Sequence, residues 1–199
     1  MGYCELFAIT TLLKQLPINS DLQLANSQTI RMSQFVPINR NIRVNCNRGV
    51  NGIDGSMSTA VGFAADNNRL LFYVTGELSF FYDMNSLSIK HLSKQMRILL
   101  VNNAGGAVMY DQPRNTPVEK LPIYLAGRQL TAKGWAESLG IKYLSANSKE
   151  SVEEGVQELL NEDIQKPILL EVFSNLSDDR FCIGDYTHSL DRRTLSEKV

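Results

Sequence analysis

The chain has 199 residues, 43% of them hydrophobic and 21% charged, which is the composition of a globular domain and excludes a disordered or fibrous protein. A formal net charge of -1 leaves no basic excess for gripping duplex nucleic acid, so no nucleic-acid partner is expected. Three scattered cysteines without a CxxC, and apolar runs far short of the roughly 20 residues of a membrane span, set the expectation of reduced thiols and a cytoplasmic chain with neither membrane span nor signal peptide.

ELFAITTLLKQL (5–16) carries apolar residues at helical spacing and opens the chain with a helix. LQLAN (22–26) and IRVNCN (42–47) read as short strands, with Cys46 as a small buried hydrophobe. SMSTAVGFAADN (56–67) is a small amphipathic helix, followed by the strand LLFYVTGE (70–77), a helix over SLSIKHLSKQ (86–95) and the strand MRILLVNN (96–103). Residues 104–130 bear Gly and Pro without a clear element, and a loop of that length inside a compact domain is more often functional than idle. TAKGWAESLG (131–140) is a helix that Gly140 stops, IKYLSA (141–146) a strand, SVEEGVQELLNE (151–162) a helix with acids in its first turn, and ILLEVFS (168–174) the last strand. Trp135 reads as core or interface packing, and His91 and His188 as surface residues. From about residue 175 the charged, weakly periodic sequence reads as a peripheral tail, giving a domain over 1–175 and a tail over 176–199.

Several strand runs are nearly continuous in apolar residues, as strands buried on both faces of a parallel sheet are. Six strands alternating with helices predict a doubly wound α/β fold, a mostly parallel six-stranded sheet with helices on both faces. Such sheets bind ligands beyond the carboxyl ends of their strands. Gly76 and Glu77 stand at one such end and Asn103 at another. The Glu77 carboxylate, the Asn103 amide oxygen and a main-chain carbonyl from the following turn, Gly105, supply three oxygens for a small divalent cation, which fills its octahedron with phosphate oxygens and water.

GELS (76–79) followed by NNAGG (102–106) resembles the diphosphate and magnesium motif of thiamine diphosphate-dependent enzymes, Gly-Asp-Gly followed by Asn-Asn. LANSQTIR (24–31), NRGVNGIDG (47–55), GELSFFYDMNSL (76–87) and TAKGWAESLGIKYLSA (131–146) are similar to segments of one family among them, the menaquinone-pathway 2-succinyl-5-enolpyruvyl-6-hydroxy-3-cyclohexene-1-carboxylate (SEPHCHC) synthases. The resemblance covers most of residues 3–175. It implies thiamine diphosphate with magnesium or manganese as cofactors, and a fold of the thiamine diphosphate-binding type. It implies that Glu77, Asn103 and the Gly105 carbonyl hold the metal, and that Asn26, Ser27, Gly52, Gly76, Leu78 and Ser79 join Glu77 and Asn103 around the cofactor. Ile53 would prop the cofactor in its bent, reactive form, and Arg31 and Arg48 would meet the carboxylates of 2-oxoglutarate and isochorismate.

Two departures stand out. Position 77 is glutamate where the family has aspartate, and the extra methylene lengthens its reach by about 1.5 Å. The family's pyrimidine-binding domain, source of a catalytic glutamate, does not fit in this length; a longer chain or another subunit would supply it, in a homo-oligomer. The resemblance therefore implies the C-terminal cofactor-binding domain of a decarboxylating carboligase, inactive by itself. Two alternatives stay open: a subunit of another 2-oxo acid decarboxylase or carboligase, and a non-catalytic cofactor-binding relative.

Overall fold

The computed structural model describes residues 2–109 and 121–196. Its strands are β1 (Asp21–Leu24), β2 (Arg43–Cys46), β3 (Leu71–Gly76), β4 (Met96–Asn102), β5 (Lys142–Ala146) and β6 (Ile168–Phe173). They form one six-stranded sheet in the order β2-β1-β3-β4-β6-β5, with every pairing parallel. The helices are α1 (Glu5–Leu13), α2 (Gln28–Ser33), α3 (Ser56–Ala65), α4 (Glu77–Asp83), α5 (Leu121–Leu125), α6 (Lys133–Ser138), α7 (Lys149–Leu160) and α8 (Leu176–Ser196), with short 3-10 turns at Met84–Ser88 and Ala107–Met109. The doubly wound α/β expectation holds.

Alternation along the central strands builds two cores. Phe72, Val74, Leu99 and Val101 face α1 and α7, while Leu71, Tyr73, Ile98 and Leu100 face α3, Phe80 of α4 and Ala136 of α6. A strand that must serve both faces is apolar at successive positions, which is why these runs look continuous. At the amino ends of the strands the fully buried Arg97 donates to the carbonyls of Lys94 (2.7 Å), Leu159 (3.0 Å), Ile164 (3.1 Å) and Asn161 (3.2 Å), gathering the α7–β6 connection. The edge strand β2 is tied to β1 by a fork of Arg43 on Asp21 at 2.6 and 2.7 Å.

Four expectations need correction. The helix placed over 86–95 is absent beyond the 3-10 turn at Ser88; the helix begins at Glu77, directly after the strand, and Ser86 and Ser88 hydroxyls bond back to the Asp83 and Asn85 carbonyls at 2.8 and 2.7 Å, competing with helix continuation. Cys46 is exposed, because β2 is an edge strand exposed at all four positions. The stretch from 176, expected as a peripheral tail, is helical to Ser196 and packs Cys182, Ile183 and Tyr186 on the α1 side of the core. Within 104–130, Ala107–Met109 and Leu121–Leu125 are helical turns; residues 110–120 lie outside the described residues.

Candidate functional site

β1 pairs with β2 on one side and β3 on the other, so the chain reverses direction across the sheet between β1 and β3, where a crevice opens at the carboxyl ends. The tips of β1, β3 and β4 and the loop after β2 enclose a cavity of about 520 Å³ there. Asn26, Ser27, Arg31, Arg48, Ile53, Gly76, Glu77, Leu78, Ser79, Asn103 and Gly105 all line it. Gly52 is the one expected site residue outside the lining, although its carbonyl accepts the Asn26 amide at 2.9 Å.

β3 and β4 are neighbours with Gly76 opposite Val101, so Glu77 and Asn103 leave adjacent strand ends. Both are buried, at 5% exposure each. Burial pushes the Glu77 carboxyl up to about 7; main-chain N–H groups of Glu77, Gly105 and Asn103 pull it back only in part, and the Asp179 carboxylate adds to the rise. The longer glutamate side chain thus reaches the turn after β4. Glu77 Oε1 and Asn103 Oδ1 are both buried with no hydrogen-bond partner among the described residues. Two buried oxygens left without donors are what a cation would satisfy. No cluster of three or more His, Cys, Asp or Glu side chains suited to a metal exists among the described residues. The arrangement suits a cation that takes one carboxylate, one amide oxygen and the Gly105 carbonyl from the protein and the rest from phosphate and water. The residues present fit such an ion.

The paired asparagines divide their work. Asn102 sends its amide to Glu171 (2.7 Å) and the Leu130 carbonyl (2.8 Å) and accepts the Ala104 N–H (3.2 Å), shaping the turn, in which Ala104 holds φ 63°. Asn103 is left to face the cavity.

On the other wall, Asn26 donates to the Gly52 carbonyl and accepts Arg48 Nη1 at 3.1 Å, and the same nitrogen bonds Asn51. Asn26 therefore folds the loop after β2 over the cavity and aims Arg48, rather than offering free polar atoms to a ligand. Ser27 sits at φ 78°, ψ -129°, a conformation that favours glycine, and such strain is stored most often at functional sites. Ser79 Oγ donates to the Ile53 carbonyl at 2.7 Å and meets Ser56 Oγ at 2.8 Å, with Tyr73 OH 2.7 Å beyond, so Ile53 is propped from below by a buried hydroxyl chain. Arg31 and Arg48 are exposed at the cavity's rim, two guanidinium groups suited to carboxylates or phosphate.

Two acidic residues at or beside the cavity were not expected. Glu5, at the start of α1, is 5% exposed, lines the cavity and leaves Oε1 without a partner among the described residues; burial, then the Asp179 and Glu77 carboxylates, push its carboxyl well above the usual range. Asp179 of α8 is fully buried and accepts the Asn103 side-chain amide at 2.8 Å. Glu5 carried a faint signal, an acid leading an otherwise apolar helix. Asp179 carried none, sitting in a run of charged residues.

Comparison with known proteins finds synthases of one name among its relatives. The chain is 42% identical over 194 residues to the 2-succinyl-5-enolpyruvyl-6-hydroxy-3-cyclohexene-1-carboxylate synthase of Bacteroides thetaiotaomicron, covering 96% of this chain and 35% of that protein. It is 39% identical over 192 residues to the synthase of the same name from Phocaeicola vulgatus and 34% identical over 191 residues to that of Flavobacterium johnsoniae, covering 96% of this chain and 34% of the relative in both cases. The chain thus spans about a third of the length of the curated relatives it matches. No protein-family model matches it.

Proposed function

We propose that this chain, homologous over 96% of its residues to a domain-length part of the SEPHCHC synthases, is the C-terminal cofactor-binding domain of such an enzyme and binds thiamine diphosphate through a divalent cation. The observation that carries the proposal is the pair of buried, unpartnered oxygens, Glu77 Oε1 and Asn103 Oδ1, on adjacent strand tips of one cavity. Glu77, Asn103 and Gly105 would hold magnesium or manganese; Ser27, Leu78 and Ser79 would border the diphosphate, and Ile53 would press against the cofactor's middle. Thiamine diphosphate, once held there, would supply the electron sink for decarboxylating a 2-oxo acid and joining what remains to an acceptor. The chain's own part is to bind, bend and shield that group, and Arg31 and Arg48 would orient the carboxylates of 2-oxoglutarate and an isochorismate-like acceptor.

Turnover in this reading needs the pyrimidine-binding region, from a longer polypeptide or another subunit of a cytoplasmic oligomer working in menaquinone synthesis. Calorimetric titration with thiamine diphosphate, with and without magnesium, tests the cofactor step. Metal-dependent binding that Asn103→Ala weakens at least tenfold is the expected result. A folded chain that ignores the cofactor at millimolar concentration with magnesium present would overturn the proposal.

A further inference from the structure

We infer that Asp179, from the helix that follows the last strand, is a positioning residue that fixes which way the Asn103 amide faces and so creates the amide-oxygen half of the cation site. The inference rests on the cation site proposed above and assigns its geometry to a residue outside it.

Asp179 is fully buried, and its two oxygens have separate tasks. Oδ1 accepts the Glu5 backbone N–H at 2.7 Å. Oδ2 accepts Asn103 Nδ2 at 2.8 Å and the Ser174 hydroxyl at 2.8 Å. An asparagine amide has a donor end and an acceptor end of nearly equal size, so packing alone hardly distinguishes its two orientations. A carboxylate does. Facing Asp179 with Nδ2 makes a charge-assisted hydrogen bond, whereas facing it with Oδ1 would set two acceptors against each other in a buried place. Oδ1 is thereby turned away from Asp179 and left without a donor among the described residues. Were the amide reversed, an NH2 group would face the cation and repel it.

The same carboxylate holds the first turn of α1 through Glu5 and the end of β6 through Ser174. The ligand's orientation therefore depends on α8 docking against α1. Supporting groups of this kind commonly contribute about 10- to 100-fold to metal affinity.

Exchange of the two side chains tests the assignment. In Asp179→Asn, residue 179 still accepts the Glu5 N–H through Oδ1, but its Nδ2 then confronts Asn103 Nδ2, and relief requires the Asn103 amide to flip. Manganese affinity of the chain in the presence of thiamine diphosphate, read by electron paramagnetic resonance of the free ion, is expected to fall about 10- to 100-fold. In the double variant Asp179→Asn with Asn103→Asp, the new amide donates to the new carboxylate, whose other oxygen faces the ion. Most of the affinity is expected to return, although both buried positions have changed. A merely structural Asp179 would leave the double variant no tighter than Asn103→Asp alone, in which two buried carboxylates oppose each other. Parent-like affinity in Asp179→Asn, or a double variant no tighter than the Asp179→Asn or the Asn103→Asp single variant, overturns the inference while leaving the cofactor proposal standing. A folded parent chain that takes up no manganese with the cofactor overturns both.

Discussion

Ser79 Oγ donates to the main-chain carbonyl of Ile53 at 2.7 Å, joining the first turn of α4 to the loop after β2 across the cavity wall. Ser79→Ala removes that donor and leaves the Ser56 hydroxyl with one partner fewer. A loss of about 1 kcal/mol in urea unfolding is expected. Cofactor affinity should fall as well, because Ile53 loses its support; calorimetry on the variant would show it, and unchanged affinity would mean that packing alone places Ile53.

Ser27 holds φ 78° without being glycine, a conformation that costs on the order of 1–3 kcal/mol for a residue with a side chain. Glycine relieves the strain and returns part of the gain as chain entropy. Ser27→Gly is therefore expected to stabilise the fold by about 1 kcal/mol and to weaken cofactor binding through the lost hydroxyl. Thermal melts and titrations on one preparation would display the opposed effects.

Glu77 makes the metal-free protein sensitive to pH. Its carboxyl sits at about 7 in the fold against an ordinary 4.5, so the native state holds the proton more tightly than the unfolded chain. That contribution is fully present below pH 4.5 and is lost as pH rises through about 7. The loss is roughly 3 kcal/mol at most, and Glu5 and Asp179, shifted in the same direction, act with the same sign. Metal-free melts should fall between pH 5 and about 8, and Glu77→Gln should flatten much of that fall. A cation displaces the proton, so magnesium should stabilise more at pH 8 than at about pH 6. An equal effect at both would show that Glu77 is ionised without the metal.

Arg97 lies at the opposite end of the sheet from the cavity and supplies donors to the carbonyls of Lys94, Met96, Leu159, Asn161, Ile164 and Lys166. Arg97→Met keeps much of the volume and none of the donors. About 3 kcal/mol or more of stability should be lost, measured by urea unfolding, while the folded fraction binds cofactor with parental affinity.

The inner strands β3, β4 and β6 were legible in the residues because strands buried on two faces must be apolar at nearly every position, while β1 and the more exposed edge strands β2 and β5 were legible from short runs rich in Val, Ile, Leu and Tyr. The Glu77–Asn103 pairing was legible too, since parallel neighbouring strands bring their carboxyl ends to one side whatever the intervening helix does. The start of α4 was not. GELS reads equally as the end of a strand or the beginning of a helix, and only contacts of Phe80 with the second core choose between them. The burial of Glu5 and Asp179 was likewise hidden, because a charged residue is drawn inside by partners far along the chain. Asp179 meets Glu5 and Asn103 only when α8 lies against α1 and the β4 tip. The amino-acid order by itself determined the sheet, its parallel winding and the two oxygen-bearing strand tips. The tertiary structure alone decided which way the Asn103 amide points, since that choice is made by a carboxylate brought from the far end of the described chain.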